Sequence, residues 1–175
     1  MRGYLNVIVI SILCSMLVSV TGCGSSYMPP QTYNYNKERV YSKPYSQVLQ
    51  KVTEWFDFKK ASVKKNDQPS VSLSAEYKLK AEDLNPDSVH RPCDCGKPGD
   101  SMNEIQKIKN AAGNFNVVIE RVDDNNTKVI VNVAYKADLY TSEYGSSTMG
   151  FSFLRALDCN STGLFEKELL DFVGQ

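Results

Sequence analysis

Residues 115–135 read FNVVIERVDDNNTKVIVNVAY, and this stretch decides the fold. Apolar side chains alternate with polar ones from Phe115 to Arg121 and again from Val129 to Tyr135. Alternation with a period of two is typical of β-strands that bury one face. The run Asp123–Asn126 between the two segments consists of turn-forming residues. The stretch therefore predicts an antiparallel hairpin whose apolar face is buried against other elements of the fold.

Two helices are predicted to cover this face. The first spans Pro44 to Phe56, with Ser42 as its cap and Pro44 in the first turn, where a missing N–H costs little. Its apolar residues recur at helical spacing: Tyr45, Val48, Leu49, Val52, Trp55 and Phe56. The second follows the capping run Cys159–Gly163 and carries Leu164, Phe165, Leu169, Phe172 and Val173.

Shorter segments complete the expected sheet. They are Arg39–Ser42, Ala61–Lys65, Val71–Leu79 and a last strand near Phe151–Leu154. Lys80 to Gly113 is interpreted as a long irregular loop, in which a capping box at Ser101–Glu104 predicts a short helix over Met102–Lys109. The expected fold class is α+β, with a mostly antiparallel sheet packed on two helices in the order β-α-β-β-loop-β-β-β-α.

The N-terminus carries a secretory signature. Arg2 precedes an apolar segment, Val7 to Val20, which rises roughly 21 Å as a helix and falls short of the ~30 Å hydrocarbon core of a bilayer. The segment closes with Val20-Thr21-Gly22-Cys23, which resembles the lipobox of bacterial lipoproteins. The resemblance implies that residues 1–22 are a signal peptide. It also implies that Cys23 becomes the acylated first residue, with diacylglycerol on its sulfur and an acyl chain such as palmitate on its amine.

Residues 23–36 are predicted to be the lipidated cysteine and a flexible tether, because Gly, Ser, Pro, Asn and Gln dominate the segment. Its tyrosines, Tyr27, Tyr33 and Tyr35, could dock on a partner or lie at the lipid interface, but they are interpreted as part of a solvated spacer. Gly24 stands where an aspartate would follow the cysteine, and by resemblance to lipoprotein sorting this implies the outer membrane, with the domain facing the periplasm. Residues 37–175 are predicted to form a single α+β domain.

The charge balance and the single histidine argue against two classes of function, nucleic-acid binding and catalysis. Basic and acidic residues number 20 each. A balanced chain lacks the basic surface by which proteins hold nucleic acid, so no nucleic-acid partner is expected. His90 is the single histidine, and the sequence holds no H-E-x-x-H, G-x-S-x-G or glycine-rich phosphate motif. We therefore expect no enzymatic activity and no cofactor.

Several elements resemble the repeats of the outer-membrane assembly lipoprotein BamC. They are the helix Pro44–Phe56, the element Asp94-Cys95-Gly96, Phe115–Val118, Val129–Val133 and the run Cys159–Gly163 entering a helix. The resemblance covers most of residues 37–175. It implies a helix-grip-like sheet around the C-terminal helix and a scaffolding role in the cell envelope.

Three cysteines follow Cys23, namely Cys93, Cys95 and Cys159, and their odd number leaves one thiol unpaired. With His90 they could supply four zinc ligands, but structural zinc sites usually show two Cys-x-x-Cys pairs, so no metal site is expected. A bond between Cys93 and Cys95 would close a very small ring, which leaves either as the partner of Cys159. The BamC-type pattern, in which a cysteine directly precedes the glycine, implies a disulfide between Cys95 and Cys159.

Two functions remain open for the domain. In the first, it is a non-enzymatic binding or scaffold module for an unidentified envelope partner. Its exposed candidates are the loop Lys80–Gly113, with a tip at Asp100–Lys107, and the polar turn Thr141–Thr148. In the second, the fold carries a lipid or other apolar ligand in a cavity lined by Trp55, Phe56, Phe115, Phe153, Phe165 and Phe172. A core filled by these side chains would favour the module.

Overall fold

A computed structural model describes residues 27–65, 71–99, 104–143 and 150–175. The strands are β1 (Glu38–Tyr41), β2 (Ser62–Lys65), β3 (Val71–Lys78), β4 (Cys93–Asp94), β5 (Glu104–Arg121), β6 (Thr127–Glu143) and β7 (Ser152–Ser161). The helices are α1 (Tyr45–Lys59) and α2 (Leu164–Gly174), and one 3₁₀ turn spans Ala81–Leu84. Within these ranges, two helices accompany a sheet of seven strands, so the α+β class is confirmed.

The sheet is built around the β5–β6 hairpin. Its described strands follow the order β2-β3-β5-β6-β7-β4, and β1 pairs with the part of β6 nearest the turn. All of these pairs are antiparallel. In the hairpin, Arg121 lies opposite Thr127 at the turn and Glu104 lies opposite Glu143 at the far end. The hairpin predicted from the alternating sequence is therefore confirmed, and it extends well beyond the stretch that revealed it.

The apolar face of the hairpin forms the core. Its buried side chains are Phe115, Val117, Ile119, Val129, Val131 and Tyr135. Helices α1 and α2 lie against this face and against each other. The ring centroid of Phe115 is 5.6 Å from that of Trp55 and 6.1 Å from that of Phe165. Since burying one large apolar side chain stabilises a fold by about 1.5–3 kcal/mol, this aromatic cluster is a major source of stability.

The helix predicted over Met102–Lys109 is wrong from residue 104 onward, because β5 begins at Glu104. Residues 104–109 pair with Asp138–Glu143 of β6. This pairing with a distant strand overrides the local capping signal, of which residues 101–103 lie outside the described ranges. The polar turn predicted over Thr141–Thr148 is likewise wrong at Thr141–Glu143, which belong to β6. Residues 144–148 lie outside the described ranges.

The loop predicted over Lys80–Gly113 contains structure that the sequence pattern did not show. The 3₁₀ turn lies near its start, and β4 pairs Cys93 with Ser161 and Asp94 with Asn160 of β7. A strand of two residues is too short to display an alternating pattern. This short pairing places the loop against the end of β7, three residues before α2 begins.

The helix starts also differ from expectation. Ser42 does not cap α1, because Pro44 is itself the extended N-cap residue and its carbonyl accepts hydrogen bonds from the N–H groups of Gln47 and Val48. Helix α2 starts after Gly163, whose φ of 84° places it in the left-handed region. A residue with a β-carbon is strained in that region, so glycine suits this position.

We predict that Phe115→Ala lowers the free energy of unfolding by about 3–5 kcal/mol, because it leaves a cavity in the aromatic cluster. Asn116 is the matched control, since its side chain is exposed opposite Asn132. Asn116→Ala should change the free energy by no more than about 0.5 kcal/mol. Urea unfolding followed by circular dichroism gives both values. Equal losses in the two variants would contradict the register of β5.

Candidate functional site

The N-terminal segment, residues 27–36, lies against the folded domain. Met28 forms a β-bridge with Lys97. The Tyr27 hydroxyl donates a 2.6 Å hydrogen bond to the carbonyl of Cys95, and the Asn160 amide donates a 2.8 Å bond to the carbonyl of Gln31. The flexible tether predicted over residues 23–36 therefore does not describe residues 27–36, which are held by hydrogen bonds to the β4 region and to β7.

Two glycines provide the close contacts for this segment. Gly96, with φ of 78°, lies against the carbonyl oxygen of Met28 and the hydroxyl end of Tyr27. Gly163 lies directly against the ring of Tyr35. A β-carbon at either glycine would clash with these neighbours, so the segment can approach only because both positions lack a side chain.

Asp94 is the main polar contact of the segment. Its carboxylate accepts hydrogen bonds from the N–H groups of Gln31 at 3.0 Å and Gly96 at 2.9 Å and from the Tyr33 hydroxyl at 3.0 Å. The Arg91 guanidinium lies 3.5 Å from the same carboxylate. Burial alone would raise the pKa of Asp94, but these donors outweigh it and hold the pKa below its ordinary value of 3.8. We call Asp94 and these four donors the Asp94 clasp.

A disulfide lies beside the Asp94 clasp. The sulfur atoms of Cys95 and Cys159 are 2.05 Å apart, which places the predicted pair at bonding distance. The buried Cys93 thiol is 3.8 Å from the Cys95 sulfur. Burial is the main cause that raises the pKa of Cys93 to about 12. Because the thiolate is the reactive form, Cys93 is a poor nucleophile in this environment.

The four candidate zinc ligands do not converge. The sulfur atoms of Cys93, Cys95 and Cys159 all lie within 4.8 Å of one another, and His90 is not part of this group. His90 is exposed in the loop before β4, and its backbone N–H donates to the Ser88 hydroxyl. The described arrangement is therefore a disulfide with a neighbouring thiol, and His90 lies apart from it.

A partly buried hydrogen bond joins the end of β7 to the start of α2, next to the N-terminal segment. The Ser161 hydroxyl donates a 2.7 Å hydrogen bond to the carboxylate of Glu166, a fully buried residue in the first turn of α2. The same hydroxyl accepts a bond from the Gly163 N–H. A carboxylate is favoured at a helix N-terminus because the helix dipole is positive there. This contact fixes the junction between β7 and α2.

A surface groove of about 750 Å³ lies between three parts of the chain. Tyr33 and Tyr35 of the N-terminal segment form one wall, the loop residues 86–91 form another, and Leu164 with Lys167 of α2 completes it. Val89, on the loop wall, is 89 % exposed. Aromatic and apolar side chains beside polar groups are typical of protein interfaces. The loop thus lines the groove with residues 86–91. The loop tip predicted at Asp100–Lys107 is wrong from residue 104 onward, because residues 104–107 belong to β5.

The cationic residues of the groove differ in whether they already form an ion pair with a carboxylate of the chain. Arg39 forms a 2.9 Å ion pair with Asp171. Arg91 donates a 2.8 Å hydrogen bond to the Tyr33 hydroxyl and belongs to the Asp94 clasp. The ammonium of Lys167 has no ion pair with any residue in the described ranges. Lys167 is therefore the groove cation with most capacity for an external acidic group.

The signal segment 1–22 and Cys23 lie outside the described residues. No protein-family model, curated protein or solved structure matches this chain. Among the helices in the described part of the chain, none is both long enough and apolar enough to cross a membrane. The groove and the Asp94 clasp are consequently identified from their geometry.

No pattern in the sequence predicted the Asp94 clasp or the groove. Asp94 and Gln31 are separated by 63 residues, so no local pattern relates them. One signal was available: the segment 27–36 combines Tyr27, Tyr33 and Tyr35 with Pro29-Pro30, which favours an extended chain carrying large side chains. Tyrosines of this kind are suited to packing on a surface.

We predict that Asp94→Asn lowers the free energy of unfolding at pH 7 by about 2 kcal/mol, because the hydrogen bonds then lose their charged acceptor. Since the pKa of Asp94 is depressed in the folded protein, its stabilisation is present above the ordinary pKa of 3.8 and is lost as pH falls below it. The difference between wild type and variant should therefore shrink towards pH 3 in urea titrations. Asp124→Asn, which changes an exposed carboxylate in the turn between β5 and β6, is the control. A difference that does not depend on pH would contradict the charge of the Asp94 clasp.

Proposed function

We propose that this protein is a non-enzymatic lipoprotein of the bacterial outer membrane that faces the periplasm and binds an envelope partner. The lipobox-like stretch ending at Cys23 supports the anchor, and the single histidine with no catalytic motif supports the non-enzymatic reading. We also assign the domain to the BamC-like, helix-grip type, which the sheet packed on α1 and α2 supports. The observation that carries the binding role is the groove between Tyr33, Tyr35 and α2.

The groove suits an extended segment of a protein partner. Tyr33 and Tyr35 offer ring faces and edges, while Leu164 and the exposed Val89 offer apolar contact. Tyrosine contributes large contact area with little loss of side-chain freedom, so it is effective in recognition. The ammonium of Lys167, which has no ion pair with a described residue, would receive an acidic side chain of the partner. The expected ligand is therefore a peptide segment that combines apolar residues with an acidic one.

The packing of the aromatic residues supports this module over the carrier of an apolar ligand. Trp55, Phe56, Phe115 and Phe165 are buried against one another, with ring centroids 5.4–6.2 Å apart. Of the other two candidates for a cavity lining, Phe153 is 58 % exposed on β7 and Phe172 is half-buried. Side chains that fill a core at these distances leave little room for a ligand between them.

We predict that Cys23→Ser abolishes metabolic labelling by palmitate and releases the protein from membranes, or leaves it as an uncleaved precursor, because the acylated thiol is lost. Cys93→Ser is the matched control, since Cys93 is buried in the domain and lies outside the disulfide. Fractionation and labelling of cells that express each variant provide the measurement. If Cys23→Ser is processed normally and stays in the membrane, a second anchor exists and the proposed attachment is wrong.

We predict that a photo-crosslinking residue at position 89 captures a discrete envelope protein in intact cells, because Val89 projects from the groove wall. The same residue at position 58 is the control, since Phe58 is 76 % exposed on α1, away from the groove. Lys167→Glu should remove most of the adduct at position 89 because it reverses the charge that attracts the partner. Identical adducts at both positions, or an adduct that is insensitive to Lys167→Glu, would contradict binding in the groove.

A further inference from the structure

One end of the sheet projects beyond its neighbours. Strand β3 ends at Lys78, opposite Ala112 of β5. Beyond this point the described strands of the sheet are β5, β6 and β7, through residues 104–109, 138–143 and 152–155. We call these three segments the arm. The residue pairs Lys107–Tyr140 and Tyr140–Phe153 place their side chains on one face of the arm, opposite to the face that continues the core.

This outer face combines aromatic rings with cations. The ammonium groups of Lys107 and Lys109 each lie 4.6 Å from the ring centroid of Phe151. The rings of Tyr140 and Phe153 meet edge to face with centroids 5.9 Å apart. Phe153 is 58 % exposed, so a large apolar side chain faces solvent next to two lysines. Such a surface is suited to an environment that is both apolar and anionic.

A carboxylate on the same face as the lysines, that of Asp138, is hydrogen-bonded within the sheet. Asn110 has a φ of 53° and stands at an irregularity in the β5–β6 register. Its amide donates 3.0 Å hydrogen bonds to the carboxylate of Asp138 and to the hydroxyl of Tyr140. Neither Lys107 nor Lys109 forms an ion pair with a residue in the described part of the chain. Among the described contacts, both ammonium groups lie over aromatic rings, which leaves their positive charge open to an external anion.

The start of the described chain lies at the base of the arm. The Arg155 guanidinium of β7 is 4.8 Å from the ring centroid of Tyr27. Cys23 precedes Tyr27 by four residues, which can span at most roughly 14 Å when fully extended. Acyl chains on Cys23 would therefore enter a bilayer within about 14 Å of the Tyr27 backbone. Arg155 pairs with the buried Leu139, so Tyr27 lies beside β7 on the side opposite to the outer face. Neighbouring strands are about 5 Å apart, so four extended residues are long enough to pass the β7 edge and let the outer face meet the same lipid surface.

We propose that the outer face of the arm rests on an anionic phospholipid surface. Phe151 and Phe153 lie at the level of the lipid headgroups, and Lys107 and Lys109 contact lipid phosphates. Aromatic side chains favour the membrane–water interface, and lysines near an anionic surface are attracted to it. This inference rests on the proposed acylation of Cys23, which brings the arm to the membrane. It goes beyond that function because it assigns a second, non-covalent contact and an orientation.

The test uses the acylated protein in vesicles that contain lipids with a nitroxide quencher near the headgroup. Phe153→Trp places a fluorescent reporter on the arm, while the native Trp55 is 2 % exposed in the core and is shielded from the quencher. We expect quenching at position 153 in phosphatidylcholine vesicles that contain phosphatidylglycerol, and much less in phosphatidylcholine alone. Phe58→Trp, at an exposed position of α1, should not be quenched.

Charge reversal supplies the second comparison. In the Phe153→Trp protein, Lys107→Glu with Lys109→Glu should abolish quenching, since loss of each lysine weakens contact roughly fivefold before repulsion is added. Lys60→Glu with Lys78→Glu changes the same charge at exposed residues outside the arm and should preserve quenching. Circular dichroism verifies that each variant is folded. The ratio of quenching between the two double variants measures the lysine contribution directly.

Four results would overturn the proposal. Equal quenching at positions 153 and 58 would show non-specific contact with lipid. If quenching is absent and sedimentation shows a dimer, a second copy of the chain covers the arm. The outer face would then be assigned to self-association. Flotation with the vesicles but no quenching would contradict the arm contact alone, whereas failure to float would contradict the acyl anchor as well.

Discussion

The covalent link between Cys95 and Cys159 is the constraint on which the binding surfaces depend. It fastens the loop after β3 to the end of β7, beside the short β4–β7 pairing. Closing a loop with a sequence separation of 64 residues stabilises the fold by an amount on the order of 4 kcal/mol in the chain-entropy description. Because Asp94 directly precedes Cys95, the same bond positions the carboxylate that holds Gln31 and Tyr33.

The docked N-terminal segment connects two different surfaces. Its later part supplies Tyr33 and Tyr35 to the groove, and its beginning places Tyr27 beside Arg155 at the base of the arm. In the proposed arrangement, an anchor upstream of Tyr27 holds the arm at the lipid surface. The groove, further along the same segment, then faces a partner in the periplasm. A docked segment restricts the orientations of the domain at the membrane more than a free spacer would.

The features that could be predicted from the sequence are those with a local cause. Alternation over residues 115–135 predicted the hairpin because burying one face of a strand imposes a period of two. The apolar stripe that includes Trp55 predicted α1 for the corresponding reason in a helix. The strand at residues 104–109 was missed because its partner in β6 is remote in sequence while a capping signal is local. Asp94 was missed because its donors Gln31 and Tyr33 lie 63 and 61 residues away.

Hydrogen exchange at the amides of Met28 and Gln31 tests most directly whether the loop fastened by the disulfide holds the N-terminal segment. The Met28 amide donates to the Lys97 carbonyl at 3.0 Å, and the Gln31 amide donates to the Asp94 carboxylate. We expect both amides to be protected in the native protein. In a variant with Cys95→Ser and Cys159→Ser, they should exchange near the rate of an unstructured chain, while core amides such as that of Val117 stay protected. Unchanged protection of Met28 and Gln31 in that variant would contradict the account.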